Sequence, residues 1–117
     1  MPHLILEVSA NVIETNDKLK HTLSLCHVLL VDKISTKLEN CKGRILLHDL
    51  VVFGDNNSGR QAFAHLSVKM LKGRSAQLLK ETACQLKAIL QGELVKSIEH
   101  LNLDISVEIV ELSDYYV

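Results

Sequence analysis

Apolar residues recur along this chain with two periods, and the switches between them lay out the elements. Residues 2–9 are rich in apolar side chains that alternate imperfectly, which predicts a strand buried on one face and partly on the other. Ala10-Asn11 ends it. Thr15 or Asn16 then offers a helix N-cap, with Asp17 in the first turn near the positive end of the dipole. Leu19, Leu23, Cys26 and Leu30 follow at steps of three and four, one buried helical face that runs to about Lys33. Residues 37–43 form a polar connector, and residues 44–53 a second strand of aliphatic and β-branched character. The run Gly54-Asp55-Asn56-Asn57-Ser58-Gly59 is a dense turn signal before a third strand at 62–70. Strands two and three are expected to pair as a hairpin across this longer loop. Gly73-Arg74-Ser75 opens a second helix with Ser75 as its N-cap. Leu78, Leu79, Thr82, Leu86, Ile89, Leu90 and Leu94 give that helix a broad apolar face, and Gly92 within the pattern predicts a bend. Asn102 follows the helix end. Residues 103–112 alternate apolar and polar as a last strand, and a short tail occupies 113–117.

The element order is therefore β-α-β-β-α-β. Helices of this length between strands imply right-handed crossovers, hence an α/β (α+β) fold with two helices on one face of a four-stranded mixed sheet. The whole chain, residues 1–117, is expected to form one domain. The opposite sheet face is expected to be half apolar and uncovered, a place for subunits to pack.

Composition narrows the function classes. Thirteen basic and fourteen acidic side chains leave a formal charge of −1, so no global field favours nucleic acid or a membrane surface. Any anion site must be a local cluster. Aromatic side chains are confined to Phe53, Phe63, Tyr115 and Tyr116, too few for a base-stacking platform. Cys26, Cys41 and Cys84 are odd in number and far apart, giving neither a disulfide framework nor a zinc site. Reduced thiols suit the cytoplasm, and neither a secretory leader nor a transmembrane run is expected.

Three places could carry chemistry. Removal of Met1 would leave Pro2 with a free secondary amine at the head of the first strand, a group no ordinary side chain offers. The plainer reading is that proline is well tolerated as a strand's first residue. At Gly73-Arg74-Ser75 a glycine allows close approach, and a helix N-terminus and a guanidinium both favour an anion. Arginine binds a carboxylate through two parallel hydrogen bonds, although a solvated arginine beside an ordinary N-cap fits the same residues. Lys42-Gly43-Arg44 sets two more cations at a strand entry, where charges also keep a sheet edge soluble. The histidines match no metal spacing, and no metal is expected. Glycine-rich phosphate loops and serine nucleophile elbows are absent from the sequence.

At this point the opening residues 1–11, the run Ala62-Phe63-Ala64-His65-Leu66 through Lys69 to Gly73-Arg74-Ser75, and the closing residues 105–112 resemble the 5-carboxymethyl-2-hydroxymuconate delta-isomerases of the tautomerase superfamily. The resemblance spans nearly the whole chain. It implies a β-α-β-β-α-β subunit, a homotrimer, and a cofactor-independent shift of a double bond in an unsaturated dicarboxylate of aromatic catabolism. Pro2 takes the place of the catalytic amino-terminal proline, and Arg74 that of the arginine in the Gly-Arg-Ser block. The family's pair of arginines before its second strand reads Lys42 and Arg44 here, so the first keeps its charge and loses its two-pronged geometry. These cations would bind the substrate's carboxylates. The tail after Leu112 is shorter than in typical members. Two other readings fit the chain: a non-catalytic small-ligand or regulatory module on a ferredoxin-like scaffold, and a tautomerase with another keto–enol substrate.

Overall fold

A computed structural model of the chain describes residues 1–55 and 59–117; Asn56, Asn57 and Ser58, the centre of the turn signal, lie outside the described residues. Strand β1 (His3–Ser9) is followed by helix α1 (Asn16–Ile34), strand β2 (Lys42–His48), strand β3 (Gln61–Met70), helix α2 (Ala76–Glu93), the short helix α3 (Val95–His100) and strand β4 (Asn102–Glu111). A single turn of 3₁₀ helix, Leu38–Asn40, precedes β2.

The sheet order is β2-β1-β3-β4. β1 runs parallel to β2, with His3 opposite Lys42, and antiparallel to β3, with His3 opposite Lys69. β3 and β4 are parallel. The expected hairpin between β2 and β3 is therefore wrong: the α1 crossover sets β2 outside β1, and β3 lies on β1's other side. Two parallel β-α-β units meet through the antiparallel β1–β3 pair. β2 also ends at His48 rather than at 53, because the apolar run beyond it leaves the ladder, with Leu50 96% and Val52 76% exposed.

The helices cover one face, as the apolar spacing predicts. Leu4, Leu6, Val8, Leu66, Val68 and Met70 point from the sheet into a core with Leu19, Leu23, Cys26, Leu30, Leu86 and Leu90. Thr15 caps α1 by accepting from the Lys18 amide at 3.1 Å, and Ser75 caps α2 by accepting from Leu78 at 3.2 Å. α1 stops at Ser35, whose φ of 55° is left-handed and cannot continue the helix. The expected bend near Gly92 comes two residues later, at Leu94, where α2 gives way to α3. There the buried carboxylate of Glu14 accepts from the Ser97 amide at 3.1 Å and from the Ser97 hydroxyl, fixing the start of α3.

The free face differs from expectation. Its strand positions include Ile5, Leu46, Phe63 and Val110 but mostly charged or polar residues, because clean alternation has turned the other apolar residues inward. Across it, Lys42, His3, Lys69 and Val110 stand in one row, followed by Arg44, Ile5, Ser67 and Glu108, then Leu46, Glu7, His65 and Ser106. Positive charge gathers at the Pro2 end and carboxylates appear further along. No helix among the described residues is long and apolar enough to cross a membrane.

Candidate active site

The head of β1 gathers elements from the whole chain. Parallel pairing brings the start of β2 beside it, antiparallel pairing brings the end of β3, and α1 ends and α2 begins at the same end of the molecule. Pro2 is buried, in step with the inward residues Leu4, Leu6 and Val8. Its carbonyl accepts from the Lys42 amide at 3.1 Å, which ties the start of β1 to the start of β2. Met1, in front of it, is 37% exposed.

Lys42 and Arg44 occupy alternate positions of β2 and so share the free face. Gly43 between them faces α1. A Cβ there would lie 2.6 Å from His27 Nε2 and 2.6 Å from Leu23 Cδ2, so any other residue would have to displace these two side chains of α1. Beside it, a cleft of about 410 Å³ runs between α1 and β2, lined by Lys20, His27 and Arg44 among others. Arg44 Nη1 lies 3.3 Å from His3 Nδ1. On the other side of the same ring, His3 Nε2 lies 2.8 Å from the Tyr116 hydroxyl. Burial lowers the pKa of His3, and the charges of Arg44, Lys42, the terminal amine and Lys69 lower it further. His3 thus reports a strongly cationic neighbourhood. No carboxylate pairs with Lys42, Arg44 or Lys69 among the described residues.

Arg74 is engaged differently. Its guanidinium donates to the Ile34 carbonyl at 2.9 Å and to the Leu71 carbonyl at 3.0 Å. Ile34 is the last residue of α1, and its carbonyl is left without an intrahelical partner by the turn at Ser35. Gly73, with a φ of 123°, makes the turn that aims Arg74 back at α1. Two of its five donors are used and three remain. Within one chain, then, Lys42 and Arg44 stand on the free face around His3, while the recorded bonds of Arg74 lie on the helix side. The two groups flank the head of β1 without touching each other.

Sequence reasoning passed over His3, Lys69 and Tyr116. The first two could have been found from alternation, since both fall out of step with the buried positions of their strands. Nothing in the sequence marks Tyr116, which reaches His3 from 113 residues away. No group of three or more His, Cys, Asp or Glu side chains suited to a metal occurs among the described residues.

The four-stranded mixed sheet with helices on one face is a fold that this chain shares with several proteins of known structure. The family model of 5-carboxymethyl-2-hydroxymuconate isomerase matches residues 2–116, and the chain belongs to that family and is an isomerase. Among solved structures, a 5-carboxymethyl-2-hydroxymuconate isomerase from Deinococcus radiodurans R1 is similar at 26% identity and a TM-score of 0.88, covering 99% of this chain and 86% of that one. A 5-carboxymethyl-2-hydroxymuconate delta-isomerase is similar at 16% identity and a TM-score of 0.84, covering 100% and 86%. A macrophage migration inhibitory factor-like protein from Entamoeba histolytica shares the fold at 16% identity and a TM-score of 0.66, covering 99% and 94%. No match is found among curated protein sequences.

Proposed function

We propose that this isomerase shifts a double bond in a 5-carboxymethyl-2-hydroxymuconate-like unsaturated carboxylate, with the amine of Pro2 as general base once Met1 is removed. The observation that carries this reading is the setting of Pro2: a buried residue immediately before an inner strand, beside Lys42, Arg44 and Lys69, cations with no carboxylate partner among the described residues, with Arg74 at the same end. Such a reaction takes the proton of the dienol's 2-hydroxyl and delivers one to C5 through a dienolate, leaving a ketone at C2 and the double bond between C3 and C4. It needs a base that is neutral near pH 7 and fixed positive charge for the carboxylates and the enolate oxygen. An α-amino group titrates near ~8 in reference peptides, and neighbouring cations disfavour its charged form. Lys42 holds a carboxylate as a point charge, whereas Arg44 and the free donors of Arg74 offer directed bonds.

The flanking cations face opposite sides of β1, which favours a site closed by other subunits. A fused 4-OT protein of this fold is a symmetric trimer, and a homotrimer is proposed here as well. The setting of such a reaction is aromatic catabolism in the cytoplasm.

The test compares ketonisation of 5-carboxymethyl-2-hydroxymuconate by wild type and Pro2→Ala, with the intact mass read first. Loss of Met1 and a large fall in kcat/KM for the variant are expected. A retained Met1, or equal rates, would remove Pro2 as the base. Absence of wild-type turnover would favour another keto–enol substrate or a non-catalytic ligand-binding module.

A further inference from the structure

We propose that the Tyr116 hydroxyl is a further anion-binding group, donating its hydrogen to a carboxylate held over the row Lys42, His3 and Lys69. A guanidinium has only donors, so Arg44 Nη1 at 3.3 Å makes His3 Nδ1 an acceptor. The ring's hydrogen then sits on Nε2, and that N–H donates to the Tyr116 oxygen at 2.8 Å. The hydrogen of Tyr116 itself is left over, with no acceptor recorded for it among the described residues. Arg44, His3 and Tyr116 form a donor chain that ends in an unused O–H, each bond polarising the next.

The surroundings specify what such a donor meets. Lys42 and Lys69 flank His3 in the same row, and neither has an acidic partner. Of the carboxylates on or near this face, Glu7 lies 3.5 Å from His48, Glu108 3.8 Å from His65, and Asp114 3.2 Å from Lys72, all away from Lys42 and Lys69. Burial and the neighbouring cations keep His3 neutral at pH 7, so Nδ1 stays an acceptor. The Tyr116 ring stands edge-on to His3 at 5.8 Å between centroids and is 38% exposed, open to a small ligand. An unused phenol donor among uncompensated cations recognises a carboxylate. Arg44 and His3 act on it as positioning residues.

This assignment rests on reading the head of β1 as the substrate site, and its test reads binding so that the two can fail separately. Glutarate, a plain dicarboxylate, is titrated into protein labelled with ¹⁵N-histidine. Wild type is expected to show His3 as the Nε2–H tautomer, with the Nε2 resonance moving as glutarate binds. Tyr116→Phe, which keeps the ring, should bind about tenfold more weakly and lose that movement. Lys72→Ala, which releases the tail's ion pair and leaves the hydroxyl, should bind as wild type does. The assignment is overturned by an Nδ1–H tautomer, by absence of glutarate binding to wild type, by unchanged affinity in Tyr116→Phe, or by an equal loss in Lys72→Ala. Turnover by wild type beside an unchanged Tyr116→Phe affinity would overturn Tyr116 alone. The predicted loss without turnover would leave the anion site standing and remove the isomerase substrate.

Discussion

Arg74 is expected to serve two ends, and replacing it by alanine separates them. The guanidinium donates to the part-buried Ile34 carbonyl at the end of α1 and to the exposed Leu71 carbonyl. A hydrogen bond to a charged group contributes about 1.5–3 kcal/mol, and only the Ile34 bond is shielded enough to count near that range. Loss of a cation at a helix C-terminus adds ~0.3–1 kcal/mol. Arg74→Ala should therefore lose roughly 2–3 kcal/mol of stability, a fall of roughly 8–12 °C in Tm at this chain length. Urea unfolding should show a lower midpoint with unchanged m, because the surface exposed on unfolding is the same. If Arg74 also holds the substrate, kcat/KM under native conditions should fall roughly 30- to 900-fold, equivalent to ~2–4 kcal/mol of transition-state binding. Arg74→Lys keeps the charge on a single nitrogen that cannot reach both carbonyls in the same fork, and should recover about half of the stability and little of the activity. A urea midpoint equal to wild type would refute the bridge to α1. An unchanged kcat/KM would take Arg74 out of the site.

Other perturbations follow from the packing and from burial. Gly43→Ala places a methyl group 2.6 Å from both His27 and Leu23, and should cost about 1–3 kcal/mol in urea unfolding as β2 and α1 separate. Burial raises the Cys26 thiol pKa to about 12, whereas Cys84 is exposed. A thiol reagent at pH 8 should label Cys84 in the native protein and Cys26 only in denaturant, as read by mass spectrometry. His3 and His27 both titrate below the ordinary histidine value when folded, chiefly through burial. The unfolded chain then binds more protons, so their contribution is complete above about pH 6.5 and is lost as pH falls below it. Replacing both by glutamine should flatten the fall in urea midpoint between pH 7 and 5.

Local chemistry was readable from the residues; long-range pairing was not. Thr15 and Ser75 cap helices where a short polar side chain precedes an apolar period, and that signal is complete within one turn. The partner of β2 is a tertiary choice: residues 44–53 look equally strand-like beside β1 or β3, and the α1 crossover decides between them. The α2–α3 break has the same character, since the Glu14 carboxylate that fixes Ser97 comes from 83 residues away. Pro2, Lys42 and Arg44 could be found as candidates because strand heads and charge pairs are local features. The bonds of Arg74 to the last carbonyl of α1 and of Tyr116 to His3 depend on which elements end together.

The bond between His3 and Tyr116 has a practical side. It brings the first and last described residues of the chain to one end of the sheet, while β2 ends and β3 begins at the opposite end. An affinity tag on either terminus would be added beside Pro2 and the lysine row, where a polyhistidine stretch would compete for the carboxylates being assayed. A label or tether placed at the exposed Leu50 or Val52 would sit at the far end of the strands, leaving both termini as they are.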